Sequence, residues 1–169
     1  MTQTSIEQIL RALNEAGVRY LVAGGLAVVA HGYLRFTADL DLIVDLDAKN
    51  LVRATAALKS LGYRPRAPVT LEAFCEESNR QTWMREKGMK VFSLHSPEHV
   101  ATEIDLLVEL PLSVDEAMAS GVRVEFAPGV VANVLGLEHL LQSKRSAGRP
   151  KDLEDIRQLT RLKDSGDDR

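Results

Sequence analysis

The sequence predicts an α/β or α+β fold on a mixed β-sheet. Helix-period and strand-period segments interleave along the chain, capping residues or glycines separate them, and 169 residues at 45% hydrophobic and 27% charged suffice for one core. At this length folding buries roughly 70% of the surface the unfolded chain exposes, so disorder is excluded. The longest apolar run, residues 21–30, holds Gly24-Gly25 and stops well short of the ~20 residues of a membrane span. The first residues lack the basic and apolar regions of a signal peptide, and Cys75 is the only cysteine, which excludes a disulfide framework and a multi-cysteine zinc site. A cytoplasmic location is expected.

The elements follow in order. Thr4 with Glu7 reads as a capping box opening a first helix that Gly17 closes. Residues 19–23 read as a short strand entering Gly24-Gly25, and residues 26–30 as a buried helix ended by Gly32. Asp39-Leu40-Asp41-Leu42-Ile43-Val44 alternates and is β-branched at its end, a strand. Asp47 caps a helix over 48–61 that Gly62 closes. Residues 63–90 carry little signal beyond a short helix near 70–77. Strands are expected at 91–94 and 102–108, a helix capped by Ser113 and Glu116, and two short strands at 122–126 and 130–133. A C-terminal helical pair follows at 135–145 and 151–162, with Pro150 suited to a first helical turn. Residues 1–163 read as a single domain and 164–169 as a disordered acidic tail.

Charge is unevenly spread. The net charge is −3, but residues 144–163 hold seven basic and three acidic side chains, which leaves the rest of the chain at about −7. Such a division suits cations bound on one side and phosphates on the other; a solvated helix face would show the same count.

Asp39 and Asp41, at i and i+2 of a strand, project from one face while Leu40 and Leu42 enter the core. Adjacent carboxylates raise one another's pKa unless a cation lies between them, and Mg²⁺ takes one or two carboxylates plus substrate phosphates. A half-exposed strand could also carry such a pair with no ligand. Asp105, flanked by apolar residues on a second strand, makes a third acid, and a carboxylate there needs a partner or a metal. If the two strands are neighbours, the three meet as phosphoryl or nucleotidyl transfer with two metal ions requires. Gly24-Gly25, between strand and helix, can turn backbone N–H groups onto a phosphate, although glycines punctuate ordinary turns too. No Walker A or G-x-G-x-x-G pattern is present.

The ordered combination of Gly24-Gly25-x-Ala27, His31-Gly32, Arg35-x-Thr37-x-Asp39-Leu40-Asp41-Leu42 and the later Ile104-Asp105-Leu106-Leu107 resembles the DNA polymerase β-type nucleotidyltransferase superfamily. Within it the chain is most similar to small bacterial AbiEii abortive-infection toxin-like and DUF6036-like proteins. The resemblance covers residues 20–108, with an echo near the C-terminus. It implies the nucleotidyltransferase fold, a Gly24-Gly25 turn holding the triphosphate, Mg²⁺ or Mn²⁺ on Asp39, Asp41 and Asp105, and Asp105 helping to deprotonate an acceptor hydroxyl. Many members have Gly-Ser at the turn, whereas Gly25 offers only its backbone N–H.

Leu137, Leu140, Leu141 and Lys144 fall at i, i+3, i+4 and i+7, so Lys144 lies on the apolar stripe and points inward. Similar nucleotidyltransferases place a lysine there to neutralise the triphosphate, and Arg149 or Lys151 could join it; snorkelling at a helix C-terminus is the alternative. Asp152 and Asp155 read as first-turn acids that stabilise the last helix. Arg35 and Thr37 could contact phosphate or nucleoside, or serve as plain loop residues. His31 reads as structural. His95 and His99 do not form a zinc pair, because Ser96-Pro97 starts a new element between them. Glu72, Glu76 and Glu77 read as a solvated face, or as an acidic patch for a cationic acceptor.

The expected function is transfer of an NMP from an NTP to a hydroxyl: a tRNA 3′ end, as in toxin-like relatives with an antitoxin partner, an aminocyclitol or lincosamide antibiotic, or a protein side chain. The basic C-terminal stretch favours tRNA, while 5% aromatic content supplies few stacking platforms. An inert nucleotide- or protein-binding module on the same fold is the alternative. A monomer is possible, as is a homodimer in which a second subunit completes the site.

Overall fold

A computed structural model describes residues 1–110 and 112–166. Its elements run α1 (Gln3–Glu15), β1 (Tyr20–Val22), α2 (Gly24–Ala30), β2 (Asp39–Val44), α3 (Ala48–Ser60), β3 (Arg64–Pro65), α4 (Leu71–Cys75), α5 (Glu77–Lys87), β4 (Val91–His95), β5 (Glu103–Leu107), α6 (Val114–Ala119), β6 (Val122–Ala127), β7 (Val130–Val134), α7 (Leu137–Ala147) and α8 (Pro150–Gly166). The strands of the described residues form one mixed sheet in the order β3-β4-β5-β2-β1-β7-β6. β2 lies parallel to β5 and β1 parallel to β7, and the other neighbours are antiparallel. The expected mixed α/β sheet flanked by helices, with a C-terminal helical pair, is present.

Alternation sets the faces of the central strands. Leu40 and Leu42 of β2, Ile104 and Leu106 of β5, and Phe92 and Leu94 of β4 are buried, whereas their odd-numbered neighbours Asp39, Asp41, Glu103, Asp105, Leu107, Val91, Ser93 and His95 are partly exposed. One side of these three strands therefore makes core and the other makes the floor of a cleft. α1 packs on α3, β6 and β7, and α3 on β2 and α4; α2 packs on β2 and α7, and α7 on α8.

Local signals decide most boundaries. Asp47 caps α3 by accepting from the Lys49 and Asn50 N–H groups, and Ser113 and Glu116 form a reciprocal capping box on α6. The first helix starts earlier than expected: Thr2, not Thr4, accepts from Ser5 N at 3.2 Å, and Glu7 instead pairs with Arg11 one turn on. β3 and α5 carried no usable pattern. β3 has two residues, and Arg80 is the buried residue of α5, so no apolar stripe announces that helix. α7 begins at Leu137 rather than 135 because Leu135 N–H still bonds the Val22 carbonyl, extending the sheet. α8 runs through Gly166, and the remainder of the acidic tail, residues 167–169, lies outside the described residues. No helix among the described residues is long and apolar enough to cross a membrane.

Candidate active site

The carboxylates come together through strand register. In the parallel β2–β5 pair Asp41 stands opposite Asp105 and Asp39 opposite Glu103, and antiparallel β4 adds Ser93 opposite Asp105. Asp41, Asp105 and Ser93 thus form one row across three strands, and Asp39 lies two residues, about 6.6 Å, along β2. Ser93 Oγ donates to Asp105 Oδ1 at 2.6 Å, and Gly25 N–H reaches Asp41 Oδ2 at 3.4 Å. Burial pushes the Asp41 carboxyl above the usual range, and the charges of Asp105 and Asp39 push it further. The Gly25 N–H and Lys144 oppose the rise without cancelling it.

Three acids this close, with one of them resisting ionisation, make a donor set short of positive charge. The strands of the three acids are neighbours, as expected, although among the described residues no three His, Cys, Asp or Glu side chains form a ready-made metal-binding group. Two adjacent carboxylates on an open floor nonetheless fit Mg²⁺ or Mn²⁺, ions that complete their shell with water and substrate phosphate oxygens.

Gly24-Gly25 is required by close approach. Gly24 has φ +57°, and a Cβ built on it would stand 1.7 Å from Asp41 Oδ2. A Cβ on Gly25 would stand 2.3 Å from Thr37 Oγ1 and 3.2 Å from Arg35 Nη1. The Thr37 hydroxyl therefore occupies the space a side chain at 25 would need, and the Gly25 N–H approaches the Asp41 carboxylate. Gly24→Ala is expected to displace the Asp41 carboxylate and to strain a left-handed backbone, costing about 1 kcal/mol or more in a thermal melt. A variant as stable as the parent would contradict this packing.

The C-terminal helices bring cations and two unexpected acids. Lys144 does point inward and is 4% exposed, but its Nζ lies 2.7 Å from Asp155 Oδ2 and 3.2 Å from Asp152 Oδ1. Asp152 is a first-turn acid of α8, as expected, and accepts from the Arg149 N–H at 3.2 Å, whereas Asp155 lies one turn further on; both are buried, at 0% and 1% exposed, and serve an ion-pair cluster as well as the helix start. α8 turns back after Gly148 (φ +61°) and sets its first turn against Lys144. Arg149 Nε donates to Asp152 Oδ2 at 2.7 Å. Arg35 Nη2 donates to Asp155 Oδ2 at 2.9 Å; its Nε is 2.7 Å from Oδ1 but outside hydrogen-bonding geometry. Burial alone would raise Asp152, yet the Arg149 and Lys144 hydrogen bonds and charges hold it below the ordinary carboxylate range. Arg149 is raised mainly by its Asp152 hydrogen bond, and the charge of Asp41 adds to the rise.

Gly24, Gly25, Arg35, Thr37, Asp39, Asp41, Asp105, Lys144, Arg149 and Lys151, all expected at the site, line one cleft of about 740 Å³. Phe36, 81% exposed, and Asp152 also line it, and Ser93 stands beside Asp105 on the next strand; none of the three was expected at the site. Arg35 Nη1 donates to the Phe36 carbonyl, so the guanidinium that pairs with Asp155 also fixes the loop entering β2. His31, His99 and Glu72, also singled out in the sequence, do not line this cleft. His31 Nε2 contacts the Leu135 carbonyl at 2.8 Å, and His99 stacks on Tyr63 with Nδ1 against Ser5 Oγ. Glu72 pairs with Lys59.

No protein-family model matches the sequence, and no curated protein matches it. Among solved structures the chain is similar to the antibiotic-resistance factor ANT(2″)-Ia in solution, at 16% identity and TM-score 0.57, over 93% of this chain and 81% of that one. It is also similar to the crystal structure of ANT(2″)-Ia in complex with adenylyl-2″-tobramycin, at 16% identity and TM-score 0.56, over 96% of this chain and 95% of that one. At this identity the likeness establishes the fold: the chain has the mixed, helix-flanked sheet of nucleotidyltransferase-fold proteins.

Proposed function

We propose that the protein transfers a nucleoside monophosphate from an NTP to an acceptor hydroxyl and releases pyrophosphate. The observation that carries this is the register of β2 against β5, which sets Asp41 beside Asp105 on the floor of a cleft also lined by Arg35, Arg149 and Lys151. Asp41 and Asp105, with Asp39 one pleat away, would hold Mg²⁺ or Mn²⁺. The ion supplies polarisation of the phosphate and charge neutralisation. The Gly24-Gly25 backbone and the Thr37 hydroxyl lie beside Asp41 and would orient the triphosphate, with Lys151 and Arg149 on its outer side. Asp105 Oδ1 accepts from Ser93 Oγ, so Oδ2 would be the oxygen that takes the acceptor proton. The acceptor oxygen then bonds to the α-phosphorus as the bond to the bridging oxygen breaks, and that electron pair leaves with pyrophosphate.

A tRNA 3′ end or a small-molecule antibiotic is the acceptor we consider, the latter in keeping with the adenylyl-tobramycin seen with the structural neighbour. The AbiEii-like placement, a toxin–antitoxin role, a cytoplasmic location and a single domain over residues 1–163 rest on the sequence resemblance and composition. The pairing of Lys144 with two acids favours a second reading, an inert nucleotide- or protein-binding module. Calorimetry with ATP, GTP, CTP and UTP, with and without Mg²⁺, followed by pyrophosphate release, tests both. Metal-dependent binding with turnover is expected; metal-dependent binding without turnover on any tRNA or antibiotic acceptor leaves the module, and no metal-dependent binding removes the enzyme.

A further inference from the structure

The cleft has a half that the phosphate and metal chemistry leaves unused. One residue pair beyond the Asp41–Asp105–Ser93 row, Leu107 of β5 stands opposite Val91 of β4. Both are partly exposed and both line the cleft, with Leu110 beside them. The charged residues at this end, Lys90 and Glu109, face each other at 3.5 Å and cancel. Glu103, at the other end of β5, is matched by Arg66.

Sheet order decides what this shelf faces. β4 and β5 lie on one side of β2, whereas β1 and β7 lie on the other; α2, which follows β1, packs on β2 and against α7, which follows β7. The Gly24-Gly25 turn, Lys144 and Arg149 all follow strands of that second side. In an in-line displacement the attacking and leaving oxygens are on opposite sides of the phosphorus, so a pyrophosphate leaving toward the glycine turn and the cations requires a hydroxyl arriving from over β4–β5.

We infer that Val91, Leu107 and Leu110 form the acceptor subsite, and that it takes a hydroxyl on a small uncharged molecule with an apolar face rather than a polycation. This inference rests on the nucleotidyl-transfer reading above and adds the acceptor's chemical class to it. An acceptor with several ammonium groups needs carboxylates left over after metal binding. Of the carboxylates that line the cleft, Asp39, Asp41 and Asp105 are those assigned to the metal, Glu109 is paired with Lys90, and Asp152 with Lys144 and Arg149. An apolar face, in contrast, gains from covering Val91 and Leu107.

The test uses the full chain and two probes, the uncharged 4-nitrophenyl β-D-glucoside and the polycation tobramycin, titrated by calorimetry with and without Mg²⁺ and NTP. The glucoside is expected to bind more tightly than tobramycin. Leu107→Ala should weaken it about tenfold, and the milder Val91→Thr about threefold. Melting curves separate a folding defect from a lost contact. Tighter binding of tobramycin, no binding of the glucoside, or a glucoside Kd unmoved in both folded variants would overturn the inference. Failure of every NTP to bind the parent protein with metal overturns instead the transfer reading, an outcome recorded in separate titrations.

Discussion

Asp41→Asn is expected to lower nucleotidyl transfer on the order of 10³-fold while leaving the protein at least as stable as the parent. The two halves of this result have one cause. Asp41 is a partly buried carboxylate beside Asp105 and near Asp39, with a single long N–H contact from Gly25. Without a cation its negative charge costs stability, because burial and two like charges act against it. Asn keeps the shape and still accepts from Gly25, so removing the charge relieves repulsion in the apo protein. It also removes one of two adjacent carboxylates through which a divalent ion would be held. Mg²⁺ should therefore raise the melting temperature of the parent and leave that of the variant unmoved. Transfer within tenfold of the parent, or a variant that melts several degrees lower, would show that Asp41 serves packing rather than metal binding.

The legible parts of this site were those written within one element. The alternation of Asp39-Leu40-Asp41-Leu42 shows that both acids share a face, and the apolar flanks of Asp105 show that it needs a partner. Neither shows that β2 and β5 are neighbours, because pairing belongs to the sheet and not to the strand. Ser93 was missed for the same reason: it is an ordinary polar position on β4 until register sets it 2.6 Å from Asp105. Lys144 was read as inward from its stripe, but a stripe does not say what waits on the inside. The signal that could have helped lies on α8, where Asp152, Asp155 and Leu159 fall at i, i+3 and i+7 and all are buried. Two acids on the apolar stripe of one helix and a lysine on that of the previous one announce a buried ion pair. Position in the first turn offered a simpler explanation and hid it. α5 had no stripe to read, since its buried residue is Arg80, which donates to the Phe74 and Cys75 carbonyls.

Asp155→Ala is expected to cost about 3–5 kcal/mol, roughly 10 °C in melting temperature, and to weaken nucleotide binding as well. Asp155 is the shared partner of Lys144 and Arg35, so its removal leaves Lys144 with Asp152 alone and Arg35 without an acid. Lys144 is too deeply placed for water to replace the lost carboxylate, and an unpaired charge at such a site is far more costly than the net worth of the pair. The loss should partly reverse in Lys144→Met/Asp155→Leu, which removes charge from both sides and keeps Asp152 on Arg149; a coupling of about 1–3 kcal/mol between the two positions is the expected cycle result. Additive losses would mean that the pair contributes no mutual stabilisation. Acid should act on the same cluster through Asp152. Its folded carboxyl is held below its ordinary 3.8, so its contribution is fully present above that pH and is lost as the pH falls toward the lowered folded value. Nucleotide binding follows because Arg35, once released from Asp155, no longer fixes the Phe36 carbonyl or the loop that carries Thr37 to the Gly25 turn. Lys144→Met alone tests whether the lysine also meets phosphate directly. A lysine serving only the cluster would lower stability and leave NTP affinity nearly unchanged, whereas one that reaches the triphosphate would weaken affinity at temperatures where the variant is still folded.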